Sequence, residues 1–188
     1  GLTNLTGRVM DGQALDLDDD TFDVSASQHG VSLFPDLKGG LAELARVTTR
    51  GGRVVIVAFG PIQQAEFLGF FLRAVQATVP DITPPPMDPP PLPFQVSDPQ
   101  VLRQRLIEAG LSAVTVETAT WDMEFDSAAH FWEMITSSNP IGAQLVAGLT
   151  AGQRSDVQQV LDGMLRDRSG GNPGAVLHTA VNIGTGTK

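Results

Sequence analysis

Three histidines, His29, His130 and His178, are the imidazoles this sequence offers for proton transfer, and their scatter argues against a catalytic triad. His130 and His178 read as capping or core-edge residues. His29 stands apart, because it falls just past the carboxyl end of a predicted parallel strand, the edge on which open α/β sheets place ligands. Asp16, Asp18 and Asp20 alternate like the opening of a calcium loop. The sixth position of such a loop needs Gly and is Thr21, and the twelfth needs a bidentate Glu and is Ser27, so the run reads as a solvated acidic loop. There is no G-x-S-x-G nucleophile elbow, no phosphate-binding P-loop and no H-E-x-x-H zinc helix. Gly184-Thr185-Gly186 is an isolated G-x-G with no helix after it to present N–H groups to an anion. With no Cys, thiolate chemistry, disulfides and thiol metal sites are absent, which fits a cytoplasmic location.

The elements that must position these residues follow from apolar periodicity and turn chemistry. Thr6 to Met10 reads as a short strand closed by Asp11-Gly12, and Phe22 to Ser27 as a buried parallel strand. Asp36 is a cap for a helix over 36–49, with Leu37, Leu41, Leu44, Ala45 and Thr48 at helical spacing and Gly51-Gly52 as its stop. Arg53 to Phe59 is a β-branched run of the kind covered on both faces, so helix and strand make one crossover unit. Gln63 to Thr78 predicts a helix that is apolar around most of its circumference through Phe67, Leu68, Phe70, Phe71, Leu72 and Val75.

Eight of the fourteen residues from Pro80 to Pro93 are proline, which excludes helix and central strand and leaves an extended segment. It is either a stiff connection or a lid beside a substrate channel. Ser97-Asp98-Pro99 opens a helix ended by Gly110, and a strand follows from Ala113 to Phe125. Asp126-Ser127 caps a helix bearing Phe131, Trp132 and Ile135. Asn139-Pro140 breaks it, helices are expected over 141–148 and 151–167, and the last strand over Ala175 to Ile183.

At 188 residues, against about 150 for an average domain, the chain is expected to be a single domain over 1–188, with a Pro-rich loop at 79–97 and a helical region at 126–169. The net charge of −9 has the wrong sign for a phosphate backbone, so no nucleic acid partner is expected. The apolar runs Val54 to Phe59 and Phe67 to Leu72 fall far short of the roughly 20 residues that cross a bilayer, so no membrane partner is expected either. The sequence opens Gly1-Leu2-Thr3 without Met, which predicts a fragment.

Three segments together resemble the class I S-adenosylmethionine-dependent methyltransferases, in particular the type 11 or UbiE-like small-molecule group. Arg8-Val9-Met10-Asp11-Gly12-Gln13-Ala14-Leu15, with Thr21-Phe22-Asp23-Val24 after it, looks like the family's third strand, acidic turn and entry to the fourth strand. Ser27 to Asp36 looks like the segment following that fourth strand. Leu41-Ala42-Glu43-Leu44-Ala45-Arg46-Val47 and Gly51-Gly52-Arg53-Val54-Val55-Ile56 are similar to the L-x-E-x-x-R-V-L-x-P-G-G-R signature, with Arg50 and Asp16 standing where the family has Pro. The likeness implies an α/β, Rossmann-like methyltransferase sheet that is incomplete, holding the third to seventh strands and lacking the first and second. The glycine-rich loop after the first strand and the acidic residue ending the second have no counterpart in this sequence.

The resemblance implies S-adenosyl-L-methionine as cofactor and methyl transfer to a small-molecule acceptor, with this fragment cofactor-incompetent alone. Asp11, Gly12, Gln13 and Ala14 would meet the adenine, with the Asp11 carboxylate accepting from its amine. Ser27, Gln28 and His29 would lie beside the methionine portion and the acceptor, Gln28 or His29 orienting the acceptor and His29 removing its proton. The aromatic run 67–72, the proline segment and Trp132 would cover the acceptor, on the substrate side formed by region 126–169. Strand order also implies a raw edge on the fourth strand, which admits a dimer. The alternatives are a non-catalytic interaction module using that edge, and another Rossmann-like enzyme using a nicotinamide cofactor.

Overall fold

In the computed structural model, the residues described are 3–82 and 88–188. Four strands form a mixed sheet in the order β1-β2-β4-β3: β1 (Phe22–Gln28), β2 (Thr48–Phe59), β3 (Ser112–Phe125) and β4 (Ala175–Thr187). β1 runs parallel to β2, pairing Val24 with Arg53 through Gln28 with Val57. β4 runs antiparallel to β2, since Gly51 bonds Lys188 while Gly60 bonds Ala180. β3 runs antiparallel to β4, with Thr115 opposite Thr185 and Asp122 opposite His178. The helices are α1 (Leu37–Val47), α2 (Glu66–Thr78), α3 (Pro99–Glu108), α4 (Ala128–Ser137), α5 (Pro140–Ala147) and α6 (Ala151–Ser169). This is an α/β arrangement around a mixed sheet.

The caps explain where the helices start. Asp36 accepts from Gly39, Asp98 from Gln100, Ser127 from His130 and Asn139 from Ile141 and Gly142, each satisfying amides that the first turn leaves open. Thr150 and Gln153 form a reciprocal capping box on α6, which closes on Gly170 at φ +70°.

Two compact units divide the chain, and β2, β3 and β4 contribute residues to both. One comprises Gly1–Ala58, Gln95–Thr118 and Asn182–Lys188. Its core packs Leu41 and Ala45 of α1 and Leu102 and Leu106 of α3 with Val54 and Ile56 of β2. Asn182, fully buried, accepts from Thr118 Oγ1 at 2.8 Å and donates to the carbonyl of Ser97 at 2.8 Å, so its amide pins β4 to β3 and to the approach to α3. The other comprises Phe59–Phe94 and Ala119–Val181, with a core of Phe67 and Phe71 of α2, Phe131 and Ile135 of α4, and Leu161 and Leu165 of α6.

Three expectations are corrected. Thr6 to Met10 is not a strand, because no neighbouring strand among the described residues takes up its backbone groups, and Leu5 and Val9 are exposed. β1 is parallel as expected but not buried on both faces: it is an edge strand in which only Ser25 is buried. Gly51-Gly52 does not stop α1. The chain passes from Val47 directly into β2 at Thr48, and Gly51, at φ +79°, lies inside the strand beside a register shift between β1 and β2. The last strand runs on to Thr187, taking in the Gly184-Thr185-Gly186 run. Of the proline segment, residues 83–87 lie outside those described; Leu92–Phe94 forms a single 3-10 turn.

Candidate functional site

The unit built on β1 and α1 carries all the residues that the sequence nominated for cofactor and catalysis. At the carboxyl end of β1, Ser27 Oγ accepts from the Val31 amide at 2.9 Å, and the Ser32 hydroxyl donates to the His29 carbonyl at 3.1 Å. These bonds fold residues 27–32 into a compact turn. His29 extends the β1–β2 ladder by one bond, its amide donating to the Val57 carbonyl at 2.8 Å, and adopts φ +55°, a left-handed conformation that a non-glycine residue rarely holds. Burial pushes the His29 imidazole below the ordinary histidine value, which keeps it neutral near pH 7. Gln28 is exposed at the same strand end.

The Asp11–Ala14 turn is held at three points. Asp11 Oδ1 accepts from the Gln13 amide at 2.9 Å and from Gln13 Nε2 at 3.3 Å, and the Ala14 amide closes on the Asp11 carbonyl at 3.1 Å. Gln13 Oε1 accepts from the Asp36 amide at 2.9 Å, tying the turn to the cap of α1. Gly12 lies against the far edge of the Phe34 ring, so close that a Cβ there would overlap it, and Gly40 meets the same ring from α1. Gln13 thus joins the adenine-turn candidates to the segment that follows Ser27, Gln28 and His29. Its own amide is engaged at both ends.

Sequence reasoning used Glu43 and Arg46 only as signature letters. Arg46 grips both Glu43 oxygens, donates to the carbonyls of Leu15 and Leu17 and pairs with Asp19 at 2.6 Å, while Glu43 Oε2 accepts from the Leu15 amide at 2.6 Å. The acidic loop is therefore fastened to α1. Gln95 Nε2 donates to the carbonyls of Ser32 and Phe34 at 2.8 and 3.1 Å, a support that no local pattern announces, since donor and acceptors are some sixty residues apart. In the other unit, His178 Nδ1 bonds Asp122 at 2.8 Å and His130 accepts from the Asp126 amide at 3.3 Å, so both work locally. Among the described residues no group of His, Cys, Asp and Glu could hold a metal ion, and no helix is long and apolar enough to cross a membrane.

Residues 2–56, which include β1, α1 and the whole nominated site, match the family model of the methyltransferase domain. Over 50 residues the chain is 44% identical to a phosphatidylethanolamine N-methyltransferase of Cereibacter sphaeroides, an alignment covering 27% of this chain and 25% of that protein. The chain thus spans a quarter of the length of this curated relative. A solved Bacillus halodurans protein assigned as a methyltransferase shares the fold, with a TM-score of 0.50 and 12% identity over 95% of this chain and 69% of its own. A phosphoethanolamine N-methyltransferase of Haemonchus contortus, solved with phosphomonomethylethanolamine and S-adenosylhomocysteine, aligns at a TM-score of 0.47 and 12% identity over 96% of this chain and 36% of that one. Residues 2–56 are thus similar to the methyltransferase domain family, and over most of its length the chain shares the fold of a solved protein assigned as a methyltransferase.

Proposed function

We propose that this chain forms part of an S-adenosylmethionine-dependent methyltransferase acting on a small-molecule acceptor. The observation that carries this reading is His29: a half-buried imidazole, held below the ordinary histidine value, in a left-handed conformation at the carboxyl end of a parallel strand. Backbone strain of this kind persists where surrounding structure enforces it, and it collects at functional sites.

The residues present fit part of the cofactor. Asp11 is exposed, and the two donors from Gln13 orient its carboxylate while leaving Oδ2 to accept from the adenine amine. Gly12 brings backbone close to the same place. For the methionine portion and the ribose hydroxyls, the glycine-rich loop and acidic residue that the resemblance implies have no counterpart among the 188 residues. The chain by itself therefore holds the cofactor weakly. When bound, the cofactor supplies a methyl group on a sulfonium, an intrinsically good leaving group, so the protein's task is alignment and exclusion of water. Gln28 orients the acceptor. His29, neutral and able to accept, takes the proton that the acceptor's nucleophilic atom gives up as it gains the methyl group.

Nuclear magnetic resonance titration with S-adenosylhomocysteine tests this reading. Shifts are expected at Asp11 to Ala14 and at Ser27 to His29, with millimolar affinity and loss of the first group in Asp11→Ala. A ligand that leaves both segments unmoved overturns the site. A clear thermal stabilisation at micromolar ligand overturns the weak binding.

A further inference from the structure

We propose that Gln95 is a positioning residue for the methyl transfer, fixing the turn that presents His29 by gripping that turn from a distant segment of the chain. This rests on the role of base proposed above for His29. The 3-10 turn Val31–Leu33 closes two bonds of its own, the Leu33 amide to the Gly30 carbonyl at 2.9 Å and the Phe34 amide to the Val31 carbonyl at 3.1 Å. The next carbonyl in line, that of Ser32, would need the amide of residue 35. Residue 35 is proline and has no N–H, while Ser32 is 1% exposed, so its carbonyl requires a donor brought from elsewhere. Gln95 brings it. A side-chain amide nitrogen carries two N–H groups, and those of Gln95 Nε2 go to the carbonyls of Ser32 at 2.8 Å and Phe34 at 3.1 Å.

The grip reaches His29 through one further bond. Ser32 donates its hydroxyl to the His29 carbonyl at 3.1 Å, while on the other flank Ser27 Oγ accepts from the Val31 amide at 2.9 Å. His29, at φ +55°, is therefore bonded to a residue that Gln95 holds. A left-handed non-glycine residue persists only where its surroundings enforce that conformation. The segment that carries Gln95 is itself firmly seated: Val96 is fully buried, and Asn182 Nδ2 donates to the carbonyls of Val96 and Ser97 at 3.3 and 2.8 Å. From Asn182 to His29, every residue in this chain of bonds lies in one compact unit. A base must stay within hydrogen-bond reach of the proton it takes, and Gln95 supplies the fixed point that the local turn lacks.

Proton magnetic resonance of the imidazole Cε1–H signal follows His29 through a pH titration. Gln95→Ala removes the two donors, and Gln95→Met removes them while keeping the length of the side chain and adding no charge. In both, the turn loosens and the ring gains water, so the His29 midpoint should rise toward the ordinary 6.5, by about half a pH unit or more. Arg46→Lys, which disturbs the acidic loop of the same unit, should leave that midpoint in place. With millimolar S-adenosylhomocysteine, Gln95→Ala should keep the shifts at Asp11 to Ala14 and lose those at Ser27 to His29. The unmodified chain gives a reading that needs no variant to fold: the Gln95 side-chain amide protons, each in a hydrogen bond, should exchange slowly with solvent. Fast exchange of those protons, a His29 midpoint unmoved in Gln95→Ala and Gln95→Met, or one moved equally by Arg46→Lys would each overturn the proposal. Failure of the underlying reading looks different: S-adenosylhomocysteine then leaves Ser27 to His29 unmoved already in the unmodified chain, and the role of Gln95 in methyl transfer falls with it.

Discussion

Arg46 holds Glu43 through two parallel bonds, Nε to Oε1 at 2.7 Å and Nη2 to Oε2 at 2.8 Å, and with the donors that remain it reaches the backbone of the acidic loop at Leu15 and Leu17. A planar guanidinium can do both at once, whereas an ammonium is a point donor. Arg46→Lys is therefore expected to lower the melting temperature by a few degrees, Arg46→Ala by more, and hydrogen exchange should quicken at Leu15 to Asp20 in both. A melting curve unchanged by Arg46→Lys would show that the fork geometry is immaterial.

The same pair sets a pH dependence. The Arg46 hydrogen bond holds the Glu43 carboxyl below its ordinary value of 4.5, assisted by the Leu15 amide, and the Lys188 hydrogen bond lowers Asp20 likewise. A carboxylate depressed in the folded state adds stability that is complete above the unfolded value and is lost as pH falls through the folded one. Stability should thus decline as pH drops below about 4.5, and Glu43→Gln should flatten that decline while lowering stability at neutral pH. Urea denaturation at stepped pH measures both. An equally steep acid limb in Glu43→Gln would remove Glu43 from the account.

Gly12 was nominated from the sequence as a cofactor neighbour, and its first physical role is to admit the Phe34 ring, which Gly40 meets from α1. Gly12→Ala should cost about 1–3 kcal/mol, the range for forcing an extra methyl into packed surroundings. Phe34→Leu removes the ring edge that the methyl would strike. The double variant should then be less destabilised than the sum of the two singles, which chemical denaturation of all four proteins resolves. Strict additivity would mean that Gly12 and Phe34 do not press on one another.

In the other unit, a Cβ on Gly142 of α5 would strike the backbone carbonyl of Ile135 in α4. A carbonyl within a helix cannot rotate away as a side-chain tip can. Gly142→Ala should therefore force α4 and α5 apart and cost about 2–4 kcal/mol or more, at the upper end of overpacking penalties. Gly163→Ala is the control, since open space surrounds that position in the middle of α6 and the helix gains propensity there.

What could be read in advance and what could not divide along physical lines. Helix starts were legible because Asp36, Asp98 and Ser127 act on amides within three residues of themselves, whereas Asn139, read as a breaker, also caps the helix that follows. The alternation of Ala113 to Phe125 and the β-branched run before Phe59 likewise carry their structure locally. Thr6 to Met10 has the composition of a strand, yet a strand exists only as a pair, and composition does not say whether a neighbour is present. Gly51-Gly52 has the residue types of a helix stop, but a positive φ serves a strand irregularity as well as a helix end, and pairing with β1 and β4 decided between them. At the site, His29 was found from its place after a strand. Gln95 and the Arg46 clasp depend on contacts between distant segments, for which the sequence holds only the letters.

His29 combines backbone strain with the proposed role of a base, and the two can be separated by substitution. Its left-handed backbone, at φ +55°, costs on the order of 1 kcal/mol or more in a non-glycine residue. Its half-buried imidazole adds a second cost that appears on acidification. With the folded value below the ordinary 6.5, the unfolded chain takes up a proton first, so stability falls as pH drops from about 6.5 toward the folded value and is regained above it. His29→Gly relieves the strain and removes the titration, so it should be at least as stable as the unmodified chain and should lose this slope. His29→Asn tolerates the conformation and should also lose the slope, while lacking the basicity to take a proton from an acceptor. A stability profile between pH 5 and 7 that is the same in His29→Asn as in the unmodified chain would show that the imidazole is not held neutral by burial, and the role proposed for it as a base would fall with that.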